Sequence, residues 1–224
     1  VLGLVDVEGK NWRHKLVQGA DFYMQAVWHP DGDMLAWVEW DHPNMPWDGT
    51  RLMVANLDFS SSQMVNKVQQ VAGDAETVIF QPEFSADGKW LSYLSSTGEW
   101  DALVLVDLKT MEKKVLYQPD GCHLMEPAWV QGVRTYAWAP DSQSLYVLKN
   151  VKGTNSLLQI KIDSGEAHKI DTGDYTWLSQ ISVSNNGEIA LICSNPGVPG
   201  RVIVWDENQW RIVARSSSEN IPPA

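Results

Sequence analysis

The chain of 224 residues is poor in the features that mark several large protein classes. It has two cysteines, Cys122 and Cys193, 71 positions apart, in no CxxC pair and no zinc-ligand spacing. Two reduced thiols are therefore expected, not a disulfide framework. The five histidines (His14, His29, His42, His123, His168) are scattered, with no HExxH and no close pair, so neither a metal site nor a cofactor is expected. Basic residues are scarce: 17 Lys and Arg stand against 28 Asp and Glu, a net charge of −11. With no basic cluster to offset it, that balance disfavours nucleic acid. No apolar run approaches the roughly 18 residues of a membrane-spanning helix. Residues 1–7 include Asp6 and no basic n-region, so no secretory signal is read there. These absences set the expectation of a cytoplasmic protein without membrane or nucleic-acid partners.

What the chain does have is tryptophan, 12 in all, and a repeat. Repeats come first because they decide the whole architecture. One unit recurs: an aromatic, a small residue or proline, Asp, Gly or a substitute, then an alternating apolar run. It reads Trp28-His29-Pro30-Asp31-Gly32, Phe84-Ser85-Ala86-Asp87-Gly88 and Trp138-Ala139-Pro140-Asp141-Ser142, and in degenerate form Val183-Ser184-Asn185-Asn186-Gly187. Asp31, Asp87, Asp141 and Asn186 are 56, 54 and 45 residues apart, the range of a four-stranded propeller blade with loop insertions. Asp-Gly and Asn-Gly supply the positive φ expected of a tight hairpin turn. A strand is predicted after each turn, at 34–40, 89–95, 144–150 and 188–194. In the first, Leu35, Trp37 and Glu39 alternate with Met34, Ala36, Val38 and Trp40, a period of two that argues strand.

A second series of short apolar strands ends in Asp6, Asp58, Asp107, Asp163 and Asp206, each before a polar turn and another strand. No segment sustains a helical period, so the fold class is all-β. Five turns of this second series against four of the first imply four whole four-stranded antiparallel blades plus an outer half-blade, a partial propeller. The divisions are 1–19 for the half-blade, 20–72, 73–118, 119–172 and 173–215 for blades, and 216–224 for a lead-out. The orphan half-blade points to further chain before Val1, and uncovered blade faces invite self-association. Trp28, Trp37, Trp90, Trp138, Trp177 and Trp205 are expected between blades, whereas Trp47, Trp100 and Trp129 fall in loops or at strand entrances.

One stretch is more specific than the repeats. The run Asp41-His42-Pro43-Asn44-Met45-Pro46-Trp47-Asp48-Gly49-Thr50 is longer and richer in proline and aromatics than a strand connection requires. With Trp40 and Leu52 flanking it, the run resembles the propeller of prolyl oligopeptidase family serine peptidases, in the acylaminoacyl-peptidase and dipeptidyl-peptidase-like branch. Residues 78–88, the Glu126-Pro127-Ala128-Trp129-Val130 stretch with Gly132, Tyr136 and Ala137, and the tail from Arg215 to Pro223 agree in the family's order. The resemblance implies a propeller capping a C-terminal α/β-hydrolase domain with a Ser-Asp-His triad. No Gly-x-Ser-x-Gly elbow occurs in these residues, and no catalytic residue is assigned.

On that resemblance the chain is the C-terminal part of a substrate-gating propeller of a serine oligopeptidase or exopeptidase acting on short peptides from their N-terminus, silent by itself. A rim carboxylate would pair with the substrate's α-ammonium. Glu76, Glu83 and Glu126 near inner-strand entrances and Asp41 and Asp48 in the long loop are the candidates, Glu76 first. Pro43 and Pro46 stiffen the loop, so Met45 and Trp47 present an apolar surface to substrate or to the hydrolase domain, with His42 hydrogen-bonding across that interface. The expected partners are the hydrolase domain and a short peptide. The alternative is a free-standing propeller serving as a protein-interaction platform. A metal-dependent propeller lyase or lactonase would need converging ligands that the histidine scatter does not provide.

Overall fold

The computed structural model describes residues 1–61, 63–96, 98–206 and 209–217, so most of the 216–224 lead-out lies outside the described residues. Among them every regular element is a β-strand. Strands β1 (Leu2–Leu4) and β2 (His14–Val17) pair into a two-stranded sheet. Four four-stranded antiparallel sheets follow, each in chain order. Blade one is β3 (Phe22–Trp28), β4 (Met34–Trp40), β5 (Arg51–Leu57) and β6 (Val65–Gly73). Blade two is β7 (Val78–Phe84), β8 (Trp90–Ser96), β9 (Asp101–Asp107) and β10 (Lys113–Tyr117). Blade three is β11 (Tyr136–Trp138), β12 (Ser144–Val151), β13 (Thr154–Lys161) and β14 (Ala167–Ile170). Blade four is β15 (Trp177–Val183), β16 (Ile189–Asn195), β17 (Val198–Trp205) and β18 (Trp210–Arg215). The first strands of neighbouring blades adjoin, β3 with β7 and β11 with β15, and line the axis of an arc of propeller blades.

The alternation in β4 does what its sequence implies. Leu35 and Trp37 pack towards the half-blade with Leu2, Leu16 and Val17. Ala36, Val38 and Trp40 pack the other way with Ile79, Phe80, Leu91 and Leu94 of blade two. Both faces of a middle strand are thus core, and the apolar contacts run from blade to blade. Trp37 is fully buried, and its indole N–H donates to Glu39 Oε2 at 2.8 Å. Truncating a side chain of this kind costs about 3–5 kcal/mol.

The turns have the positive φ expected of them, at one residue each. Gly32, Gly88, Ser142 and Gly187 alone are left-handed, at φ 75°, 69°, 58° and 88°. The N–H of Gly32 closes on the His29 carbonyl at 2.9 Å, as Gly88 N–H closes on Ser85. The aspartate acts instead as an acceptor: Asp87 Oδ1 takes Ser85 Oγ–H at 2.7 Å and Asp141 Oδ1 takes Gln143 N–H at 2.9 Å. The tryptophans also divide. Trp37 and Trp138 are buried and Trp90 and Trp205 half-buried, but Trp28 and Trp177 are 45% and 43% exposed. Both stand at the tips of innermost strands, where side chains meet the rim of the arc and not the next sheet.

Three tiers of polar ties join the blades. At the end where the innermost strands begin, a buried polar residue at or just before the start of each third strand reaches the next blade's entrance. Thr50 N–H donates to Thr77 O at 2.9 Å, Asp101 Oδ2 accepts Leu124 N–H at 2.8 Å, and Asn155 Nδ2 donates to Leu178 O at 2.7 Å. Along the axis, Gln25, Gln81 and Gln180 sit at the same bulge of β3, β7 and β15, each left-handed at φ 53°, 49° and 54°. Gln25 Oε1 accepts Gln81 N–H and Gln81 Oε1 accepts Thr135 N–H, both at 2.7 Å. At the turn end, His29 Nε2 meets Gly88 O at 2.9 Å and Asp87 N–H donates to Ser142 Oγ at 3.1 Å.

Candidate functional site

The end of the arc where the innermost strands begin also carries the longest loops, and they enclose a cavity of about 450 Å³. Its walls come from all four blades. Trp47 enters from the long loop of blade one, and Val78 and Glu99 from blade two. Leu124, Met125, Glu126 and Pro127 come from the connection into blade three, Leu148 from β12 and Trp177 from the tip of β15. The size suits a small ligand or a few residues of peptide.

Proline and a glycine fix the long loop. Asn44 Nδ2 donates to Ala75 O at 2.7 Å, and Met45 N–H and Asp48 Oδ2 close a turn at 2.8 Å. A Cβ on Gly49 would meet the Ala75 carbonyl oxygen at 2.1 Å, so only glycine lets the loop lie against blade two's entrance. Pro46 is buried beneath it and Trp47 is half-buried over the cavity, its ring centroid 4.5 Å from that of Trp129. Met45 is 46% exposed and faces away from the lining.

The acidic candidates separate by environment. Asp41 is committed to the fold: it accepts Arg51 Nη2–H at 2.6 Å and Asp21 N–H at 2.9 Å, and the Arg51 hydrogen bond is the main cause that holds its carboxyl below the usual range. Glu76 is exposed on the turn capped by Asp74, outside the cavity. His42 is exposed, its Nδ1 3.0 Å from Asp21 Oδ2. Glu83 lies deeper, on β7 inside the axis, joined to Gln81 Nε2 at 2.6 Å and Arg134 Nη1 at 3.0 Å. Glu126 alone of the candidates combines cavity lining with half burial and with no hydrogen bond or ion pair among the described residues. Burial pushes its carboxyl above the ordinary glutamate value.

Three further lining groups carry polar chemistry. Asp101, 3% exposed, accepts the backbone N–H groups of Leu124 and Met125 at 2.8 and 3.2 Å and faces His123 Nδ1 at 3.4 Å, so it fixes the segment leading to Glu126. Thr135 is 2% exposed and its hydroxyl is without a partner. Asn155 bridges to blade four. None stood out in the sequence, although Thr50, Asp101 and Asn155 recur at corresponding points of three blades. No group of three or more His, Cys, Asp or Glu could hold a metal ion among the described residues.

No family model and no curated protein matches the chain. Solved structures do. A puromycin-hydrolyzing peptidase of Mycobacterium tuberculosis superposes with a TM-score of 0.80 at 26% identity, over 94% of this chain and 31% of that one. A puromycin hydrolase gives 0.81 at 25% identity, over 95% and 31%. Both matches lie within much longer chains. Prolyl oligopeptidase B from Galerina marginata shares the fold, with a TM-score of 0.65 at 13% identity over 88% of this chain and 26% of its own. The chain described here spans about a third of the length of these two structural neighbours, at 31% of each. Its cavity is open to the side where its innermost strands begin. No helix among the described residues is long and apolar enough to cross a membrane.

Proposed function

We propose that this propeller gates short peptides for a C-terminal hydrolase domain and that the mouth cavity holds the peptide's N-terminal end. One observation carries the reading: Glu126, a half-buried carboxylate with no partner among the described residues, lines an apolar cavity between Trp47 and Trp177. Such a group stays ionised most easily beside a cation, and an α-ammonium supplies one with hydrogen-bond donors. The same argument favours a free N-terminus over an acylated one, hence a dipeptidyl- or aminopeptidase-like specificity over an acylaminoacyl one. Met45, Asp48, His42 and Glu76, exposed around the outside of the mouth, suit the rim against which a hydrolase domain docks. The chain carries binding and orientation only, and its two free, buried cysteines fit a cytoplasmic setting.

The test is binding of Phe-Gly amide and its N-acetyl form to the chain at neutral pH, by calorimetry. The unblocked peptide is expected to bind at least about tenfold more tightly, about 1.4 kcal/mol, and Glu126→Gln to remove that preference. Equal binding of both forms, or a preference that survives Glu126→Gln, refutes the reading.

A further inference from the structure

The connection into blade three does something the other blade connections do not: it crosses to blade one. Gln131 Nε2 donates to Tyr23 O at 3.3 Å, and Gln131 Oε1 accepts Gln25 N–H at 3.2 Å, partners more than 100 residues away. Trp129, two residues earlier, lays its ring on Trp47 at 4.5 Å. Residues 126–132 thus pass over blade two and span the axial mouth, with Glu126 at one end.

The position of Gln131 is specific. The N–H at this point of each inner strand's course is capped by a glutamine of the preceding inner strand, Gln25 for the bulge at Gln81 and Gln81 for Thr135 just before β11. For Gln25 the cap comes from Gln131 instead, from above and at a longer distance. Ala128 is buried in the core, and every anchor beyond it is solvent-exposed: Trp129 is 69% and Val130 62% exposed, and both Gln131 bonds are exposed contacts. Segments held by a few exposed contacts open locally at low cost. Gly132 closes the segment at φ +81° with no heavy atom within 4 Å of where a Cβ would stand, which leaves room for rotation. Pro127 stiffens the Glu126 end.

We propose that residues 129–132, beyond the buried Ala128, are a strap over the mouth that opens about Gly132, admits ligand to the cavity and, when closed, positions Glu126. The strap rests on the peptide-site reading only for its ligand. Trp129 and Gln131 are positioning residues, and Gln25 N–H is the reporter of closure.

Hydrogen exchange of the whole chain tests the opening without any ligand. Gln25 and Gln81 have the same bulge and the same kind of acceptor, so a strap that opens makes Gln25 exchange at least about 100-fold faster than Gln81. Gly132→Ala, strained at positive φ but free of clashes, should speed Gln25 by about fivefold and leave Gln81 unchanged. Trp129→Ala, which leaves the backbone unstrained, should do the same. Exchange of Gln25 and Gln81 at one rate, or no response of Gln25 to either variant, overturns the strap whether or not any peptide binds. With Phe-Gly amide bound, Gln25 exchange should slow, and Trp129→Ala should shrink the preference for unblocked over acetylated peptide. If the peptide binds and neither change occurs, the segment is a fixed wall and the positioning role fails while the cavity reading stands.

Discussion

Replacing Glu83 by glutamine isolates a pH dependence built into the axis. The Glu83 side chain is 14% exposed and shares one carboxylate oxygen between Gln81 Nε2 at 2.6 Å and Arg134 Nη1 at 3.0 Å. Burial outweighs both partners and pushes its carboxyl from 4.5 up to about 7. An acid whose folded value lies above its unfolded one binds its proton more tightly when folded. Its contribution to stability is therefore full below about pH 4.5 and is lost as pH rises to about 7. At about 1.4 kcal/mol per unit, the loss is about 3 kcal/mol. Carboxylates held below their usual value, Asp41 among them, contribute with the opposite sign at the acid end of the range, so the quantity to follow is the difference between Glu83→Gln and the parent. Urea unfolding from pH 4 to pH 8 should show the variant gaining about 3 kcal/mol on the parent across that range. The amide keeps an oxygen for Gln81 and Arg134 without the charge. A difference that stays constant with pH, or shrinks as pH rises, would mean that the Arg134 pair dominates burial, and the argument would fail.

Gln81→Ala leaves Thr135 N–H, the Tyr136 carbonyl and Glu83 without their side-chain partner and should cost about 3 kcal/mol or more. Gln81→Gly, relieved of φ 49°, should cost about 1 kcal/mol less than the alanine variant by urea midpoint; the reverse order would remove strain from the account. Gly88→Ala places a Cβ 2.7 Å from His29 Nε2 at φ +69°, whereas Gly32→Ala at φ +75° meets nothing. Thermal melts should show the first as the more destabilising by about 1–2 kcal/mol, and equal losses would deny the His29 tie. Trp47→Ala should weaken peptide binding with a smaller effect on the melting temperature, since the ring is half-buried over the cavity; parallel losses in both assays would make it a structural residue. The apolar side chains at the two ends of the arc, Trp12, Trp28 and Phe59 at one and Ile192 at the other, are 41% exposed or more. The chain is expected to self-associate at tens of micromolar in light scattering, and a monodisperse monomer would contradict that.

The blades were legible because their information is local. A period of two in β4 and an Asp-Gly turn every 45 to 56 residues need no tertiary context to be read as hairpins. The axial glutamines carry the same repeat one step further back: Gln25, Gln81 and Gln180 each precede Asp31, Asp87 and Asn186 by six positions, with Thr135 in that place before Asp141. Strand propensity hides them, since a glutamine inside a strand has no signature of its own. Their differences are also physical. Two positions on, blade two has Glu83 where blade one has Val27, and Gln25 Nε2 is left buried without a partner while Gln81 Nε2 has two. The cavity was not legible, because its walls meet only when loops from four blades are brought to one end. Glu76 and Glu126 read alike in sequence, and only packing makes one a surface residue and the other a cavity wall.

The ties between blades are not evenly distributed, and the last joint differs from the others. Blades one to three are pinned to their neighbours at the mouth, on the axis and at the turns. Between blades three and four, Thr135 is too short to continue the glutamine series and its hydroxyl is unpartnered. Among the described residues no turn-end tie like that of His29 appears there; the polar connections include those of Asn155, to Thr176 O at 2.9 Å and Leu178 O at 2.7 Å, and, at the outermost strand, Trp210 Nε1–H to Asp171 O at 2.8 Å. Blade four is accordingly held at the mouth, where Trp177 borders the cavity, and at its outermost strand, while along the axis it leans on the apolar packing of Leu178 and Ile181 against Ala137, Leu148 and Leu157, so burial and not hydrogen bonding closes the axial side of this joint.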